Sequence, residues 1–146
     1  FLGNFSATPR STGTLILRDT LHAVLLSQLL DSAAANSVMS ALSAVEKLVS
    51  KHCVVIFSKT RCGFSHRAKA VIAQYCNDVH AVELDEMPGA QGGEMQAALA
   101  ELTGRRTVPN VFVGGKTIGG GSETQALDQE GKLKPMLVEA GCIPDA

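Results

Sequence analysis

The sequence predicts an α/β fold: a four-stranded mixed β-sheet covered by helices, with a short helical extension at the N-terminus. The prediction rests on three stretches. Residues 53–58, CVVIFS, form a β-branched run suited to a strand buried on both faces, as in a sheet covered by helices. Residues 80–85, HAVELD, alternate as a strand does, and a segment of helical apolar spacing separates them from the first run, which makes a parallel βαβ unit. Residues 110–120, NVFVGGKTIGG, are two short strands about Gly114-Gly115, the pair that a two-residue hairpin turn needs.

Taken in order, residues 1–14, FLGNFSATPRSTGT, are polar, rich in turn-forming residues and without periodicity, so no regular structure is expected. From Asp19, an acidic N-cap candidate, Leu21, Val24, Leu25 and Leu29 recur at helical spacing and predict a short helix to about Leu30. A second helix starts near Ser37, with Val38, Leu42, Val45 and Val49 on one face. Residues 1–36 are accordingly assigned to an N-terminal extension and residues 37–146 to the main domain. After the first strand come a turn carrying Cys62 and a helix with Phe64, Ala68, Val71, Ile72 and Tyr75 on one face. A loop with Pro88, Gly89, Gly92 and Gly93 leads to a helix from about Glu94 to Thr103, stopped by Gly104. Past the hairpin, Ser122 is a good N-cap for a helix running toward Gly131, and another helix from Lys132 ends at Gly141. From Cys53 the order is β, α, β, α, β, β, α, which is the thioredoxin-like order.

Composition excludes several classes. The 146 residues carry 13 basic and 14 acidic side chains, a formal charge of −1, with no basic block of the kind that grips nucleic acid. The longest uncharged run, Ser32 to Val45, is broken by serines and Asn36 and falls short of the roughly 20 apolar residues that span a membrane. Four cysteines, Cys53, Cys62, Cys76 and Cys142, include no C-x-x-C pair, which argues against a zinc site and a secreted disulfide framework and for a reducing compartment. Residues 1–18 hold Arg10 and Arg18, many Ser and Thr and no acid, the composition of an organellar transit segment. A mitochondrial location is favoured over a plastid or cytoplasmic one.

Cys62 carries the chemistry. An unperturbed thiol has a pKa near 8.5, so only about 3% is thiolate at pH 7. Between a strand end and the first turn of a helix, Cys62 faces unpaired backbone N–H groups and the positive end of the helix dipole, and Lys59, Arg61 and Arg67 add cationic field. Ser65 stands where a dithiol enzyme carries its second cysteine, and a hydroxyl cannot close a disulfide. The second sulfur comes from a small thiol such as glutathione, from the distant Cys142, or from a partner chain. Cys53 and Cys76 read as core thiols. GGKT, residues 114–117, is not a phosphate loop, because Asn110 replaces the required leading glycine and the segment is a hairpin. His22, His52, His66 and His80 lack metal-ligand spacing.

SKTRCGFS (58–65), TVPNVFV (107–113) and IGGGSE (118–123) resemble the active-site turn, cis-proline segment and glycine-rich segment of glutaredoxins, in the same order. The resemblance implies glutathione-dependent disulfide oxidoreductase activity with Cys62 as nucleophile. It also implies a cis bond at Pro109, so that Val108, flanked by Thr107, pairs through its backbone with glutathione as an added strand. Gly120 and Ser122 would present amides to the γ-glutamyl carboxylate, and Glu123 would hold the neighbouring ammonium. Lys59 and Gln96 would meet the glycine-end carboxylate, and Phe64 would lie beside the bound tripeptide.

The tetrad Cys62-Gly63-Phe64-Ser65 is similar to that of monothiol glutaredoxins, which implies that Cys62 also ligates a 2Fe-2S cluster: two chains and two glutathiones would supply the four sulfurs. The cluster-bound form would then be a homodimer and the apo form a monomer, with glutathionylated or iron-sulfur proteins as clients. The frame around the tetrad resembles the dithiol branch instead: Lys59 lies three residues before Cys62, GRRTVP precedes the strand, and the chain has no Trp. A purely redox deglutathionylating enzyme and a non-enzymatic thioredoxin-like adaptor are the alternatives.

Overall fold

A computed structural model of the chain describes residues 13–145, so the expectation of an irregular N-terminal segment lies, apart from Gly13 and Thr14, outside the described residues. The backbone divides into two units at the Asn36–Ser37 junction. One helix, α1 (Gly13–Lys51), replaces the two expected helices. The segment between them, DSAAANS, contains no glycine or proline, and its three alanines have the highest helix propensity, so nothing ends the helix there. In the first unit, residues 23–28 and 31–36 are exposed. In the second unit, Ala41 and Val45 are buried.

The second unit continues with β1 (Val54–Ser58), α2 (Gly63–Ala73), β2 (Val79–Glu83), a 3₁₀ turn (Leu84–Glu86), α3 (Gln91–Thr103), β3 (Asn110–Val113), β4 (Lys116–Gly119), α4 (Gly121–Gln129) and α5 (Leu133–Glu139). The four strands form one sheet in the order β2-β1-β3-β4. β1 is parallel to β2 and antiparallel to β3, and β3 is antiparallel to β4 with an irregularity between Val111 and Phe112. This is the thioredoxin-like mixed sheet that the element order predicts.

Every residue of β1 is buried, and its side chains alternate between two cores. Val54 and Ile56 pack with Ala68 and Ile72 of α2 and Leu133 and Leu137 of α5. Val55 and Phe57 pack with Val45 of α1, Met95 and Leu99 of α3, and Phe112. Phe57 and Phe112 meet edge to face, with ring centroids 5.7 Å apart. Gly114 and Gly115 have φ of +57° and +82°, the conformation that the tight β3–β4 turn requires.

α3 begins at Gln91 and not at Glu94, because its first turn lies against the 3₁₀ turn. A Cβ at Gly92 would sit 2.0 Å from the carbonyl oxygen of Leu84, so glycine is what permits the approach. α4 begins at Gly121 with Gly120 as N-cap; Ser122, expected to cap it, is the second residue of the helix.

The cysteines also differ from expectation. Cys53 is not a free core thiol: it forms a disulfide with Cys142, 89 residues away in sequence. Cys142 is therefore paired at the end of β1 opposite Cys62, and is not a free thiol available to resolve Cys62. Cys76 is free and buried, as expected. A cross-link over that sequence separation constrains the unfolded chain strongly, and replacing both Cys53 and Cys142 by Ala is expected to lower the unfolding free energy by about 2–4 kcal/mol. Denaturant unfolding of the double variant beside the oxidised and reduced wild type checks this; reduced wild type should match the variant.

Gly92→Ala is expected to destabilise the fold by about 1–3 kcal/mol, because the added methyl meets rigid backbone. Thermal melting compared with Gly93→Ala, whose Cβ would meet nothing within 4 Å, is the measurement.

Candidate active site

The topology gathers four connections at one sheet edge. Parallel β1 and β2 both end there, at Ser58 and Glu83, and antiparallel β3 begins there, Asn110 lying opposite Phe57. β4 returns to the same edge at Gly119, opposite Val111. Residues 59–62, 84–86, 107–109 and 119–121 therefore converge, the arrangement in which α/β sheets place their ligand sites.

Cys62 is the N-cap of α2, extended at φ −98° and ψ 115°, and half-buried. Its amide donates to the Lys59 carbonyl at 3.1 Å, and its own carbonyl accepts from the His66 amide at 3.1 Å, which closes the first helical turn. The sulfur lies 3.6 Å from the Val108 carbonyl oxygen. Ser65 is fully buried, and its hydroxyl has no hydrogen-bond partner among the described residues. Its proton is therefore free to point at the Cys62 sulfur. The Ser65 hydroxyl is the largest influence holding the Cys62 thiol below the ordinary cysteine range; burial opposes it, and the Ser65 and Phe64 amides and the Lys59 charge add to it.

The turn before Cys62 is held from β2. Ser58 donates from its hydroxyl to Glu83 at 2.7 Å, and Glu83 in turn pairs with Lys69 of α2. Thr60 donates its amide to both Asp85 oxygens at 3.1 Å and its hydroxyl to one of them at 2.6 Å. These bonds hold the Asp85 carboxyl below its usual range. On the other side, His66 Nε2 donates to the Thr60 carbonyl at 2.8 Å. With Ser58 and Thr60 both tied down, the intervening Lys59 is fixed close enough for its charge to reach the sulfur.

Beyond Cys62 lies a cavity of about 280 Å³ lined by Phe64, Thr107, Val108, Pro109, Gly120 and Ser122, with Arg105, Gly121 and Glu123 completing it. The Val108–Pro109 bond is cis, as the resemblance implied. Phe64 does not join the buried face of α2. It is 54% exposed, with the Arg67 guanidinium carbon 5.6 Å from its ring centroid. The reason is position: α4 packs so near that a Cβ on Gly121 would lie 2.7 Å from the Phe64 carbonyl oxygen, and the ring is left at the cavity. Glu123 accepts the Gly120 amide at 3.0 Å and an ion pair from Arg105. Gln96 is elsewhere: it donates to the Arg106 carbonyl at 2.7 Å and lines a separate cavity of about 300 Å³ on α3. The structure thus brings seven of the predicted residues, Phe64, Thr107, Val108, Pro109, Gly120, Ser122 and Glu123, around one cavity. Lys59 and Cys62 stand at the adjoining turn.

Sequence reasoning missed Ser65 as a donor, Asp85 as an anchor and Arg105 as the partner of Glu123. Ser65 was legible as the residue one helical turn from Cys62, on the side where α2 is buried. The other two needed the fold.

Ser65→Ala is expected to raise the Cys62 pKa toward that of an ordinary thiol. Thiolate ultraviolet absorbance against pH measures it, and an unchanged titration would exclude the Ser65 contact. The sign is fixed by linkage. A thiol whose pKa is depressed on folding stabilises the fold above the unfolded-state value, and that contribution is lost as pH falls through the lowered folded value. Asp85→Ala is expected to release Thr60 and so reduce both the acidity of Cys62 and its reactivity, read by the same titration and by alkylation rate.

The glutaredoxin family profile matches residues 54–118. Glutaredoxin-C1 of Arabidopsis thaliana is 45% identical over 104 residues, 71% of this chain and 82% of that protein. A crystal structure of a buckwheat glutaredoxin–glutathione complex superposes with a TM-score of 0.70 at 42% identity, covering 74% of this chain and 96% of that one. Other relatives include the chloroplastic Glutaredoxin-C4 of Oryza sativa, 47% identical over 70% of this chain and 76% of that protein. The mitochondrial Glutaredoxin-2 of Mus musculus is 41% identical over 69% of this chain and 64% of that protein. With fold, cis-proline segment and cysteine turn in agreement, the chain belongs to the glutaredoxin family.

Proposed function

We propose that the protein is a monothiol glutaredoxin that binds glutathione in the cavity beside Cys62, reduces glutathionylated proteins, and ligates and transfers a 2Fe-2S cluster. The observation that carries the reading is the pairing of an acidified, half-exposed Cys62 with a buried Ser65 in place of a second cysteine.

In the redox cycle, the Cys62 thiolate attacks the glutathione sulfur of a protein–glutathione mixed disulfide. The protein leaves as thiolate and takes up a proton, and Cys62 holds the glutathionyl group. Ser65 cannot displace that group. A second glutathione thiolate attacks it, giving glutathione disulfide and restoring the Cys62 thiolate. One free glutathione thiol is consumed for each mixed disulfide reduced, the other half of the glutathione disulfide coming from the mixed disulfide itself. Val108 supplies backbone for the tripeptide as an added strand, the Gly121 and Ser122 amides at the start of α4 take a carboxylate, and Lys59 takes the other.

For the cluster, Cys62 would be the sulfur that each chain supplies, and a second chain and two glutathiones would complete the four ligands; the cluster would supply electron-transfer or iron-sulfur donor chemistry when formed. The holo form would then be a homodimer, with glutathionylated or iron-sulfur proteins as clients. We assign residues 37–146 to the glutaredoxin domain and residues 1–36 to an N-terminal extension, and place the protein in the mitochondrion, which the composition of residues 1–18 supports.

Two measurements test the reading. Glutathione-dependent reduction of a glutathionylated peptide is expected for the wild type and lost in Cys62→Ser; no activity would favour an adaptor. Anaerobic reconstitution with iron, sulfide and glutathione is expected to give a coloured dimer, lost in Cys62→Ser. A colourless monomer with good reductase turnover would leave the purely redox enzyme.

A further inference from the structure

The far end of the Cys62 cavity holds an arrangement that the redox cycle does not use. Glu123, the third residue of α4, turns back over its own N-terminus, and one carboxylate oxygen accepts the Gly120 amide at 3.0 Å. The other oxygen is taken by the Arg105 guanidinium. Arg105 comes from the connection between α3 and β3, and its path depends on glycine. A Cβ on Gly120 would lie 3.0 Å from Arg105 Nη1 and 3.0 Å from the Pro109 carbonyl oxygen. Gly119 leaves room for Glu123 in the same way, its Cβ position falling 2.7 Å from the Glu123 Cβ. The two residues thus form a wall of the cavity, side by side with the amides of Gly121 and Ser122.

We infer that Arg105 occupies the carboxylate that would otherwise read a ligand's ammonium group, so that this site selects its thiol by a carboxylate and is indifferent to a neighbouring amino group. The inference rests on the glutathione-binding reading and deepens it by naming the substrate class: thiol peptides whose first residue keeps its α-carboxylate position but carries a free, acylated or absent amino group.

The physical reason is competition. Both Glu123 oxygens already have charge-assisted or amide donors. A ligand ammonium is a compact, strongly hydrated charge, whereas the guanidinium is more weakly hydrated, has a planar fork that fits a carboxylate, and is tethered in place. Displacing it exchanges one cation for another and gains little. With guanidinium and carboxylate paired to each other, what the wall still offers is the amides at the helix start, and a ligand carboxylate answers those.

The test compares mixed disulfides of one peptide with glutathione and with glutaryl-cysteinylglycine, which is glutathione without its α-amino group. Single-turnover transfer of each thiol to Cys62 is followed by mass spectrometry. The wild type is expected to take both at rates within about threefold of each other. Arg105→Gln frees Glu123 and is expected to prefer the glutathionyl group by about tenfold; Arg105→Lys, which keeps charge and loses the fork, should fall between. Adding Glu123→Gln to Arg105→Gln is expected to remove the gained preference. A wild-type preference for the glutathionyl group of about tenfold or more, or an Arg105→Gln preference no greater than the wild type's, overturns the inference. If neither group reaches Cys62, the glutathione reading itself falls, and this one with it.

Discussion

The grip of β2 on the turn after β1 is the constraint on which the rest of the site depends. Parallel pairing sets Ser58 level with Glu83, so the chain leaving β1 runs beside the chain leaving β2. Two carboxylates two residues apart, Glu83 and Asp85, then bind two hydroxyl residues two apart, Ser58 and Thr60. Glu83 closes β2 and Asp85 sits in the 3₁₀ turn just past it, so the two carboxylates meet successive points of the chain leaving β1. Lys59, between the two anchored residues, is left to the Cys62 side, and Cys62 itself falls where α2 begins. Without this hold, cation and thiol would sit on a free loop, and neither the helix dipole nor the Lys59 charge would act at a defined distance.

The acidity of Cys62 then follows from short contacts more than from net charge. The chain carries an excess of only one negative charge, and no long-range field favours a thiolate. The contributions are local: a buried hydroxyl, two amides and one lysine. A buried hydroxyl without a partner is costly, so Ser65 gains most when the sulfur is ionised and can accept its proton. Side chain and thiolate stabilise each other, and the half-exposed position of Cys62 keeps the desolvation that opposes this small.

Much of this was legible in the sequence. The β-branched run of β1, the Gly114-Gly115 hairpin and the proline before β3 read directly because each is a local rule: burial on both faces, positive φ, and a motif of fixed spacing. What was missed is non-local or competitive. The Cys53–Cys142 disulfide joins residues 89 apart, and spacing alone cannot pair them. Phe64 had the helical period of a core residue, yet the tight seat of Gly121 against its backbone sends the ring outward. The break expected between about Leu30 and Ser37 is replaced by continuous helix, because periodicity alone placed it and the intervening residues include no glycine or proline to end a helix. Glu123 was read as open to a ligand because its competitor, Arg105, lies 18 residues earlier in the chain.

The identity of the second sulfur can be argued from placement alone. Cys53 precedes β1 and Cys62 follows it, and a strand of five residues is about 17 Å long, well beyond the reach of two side chains across a disulfide. Cys142 is at the Cys53 end, bonded to it. Cys76 is in the core on the Val54 side of the sheet, its sulfur 3.8 Å from the Cys142 carbonyl oxygen, again at the end away from Cys62. At the Cys62 end the residue one helical turn on is Ser65, which can donate a proton but cannot form a bond to sulfur. Among the residues described, no internal thiol can resolve an adduct on Cys62. The cavity on the cis-proline side adjoins the sulfur, which lies 3.6 Å from the carbonyl oxygen of its lining residue Val108, and offers room for an incoming thiol. A thiolate with no partner within reach in its own chain would need its second sulfur from outside that chain, from a small thiol or a partner protein.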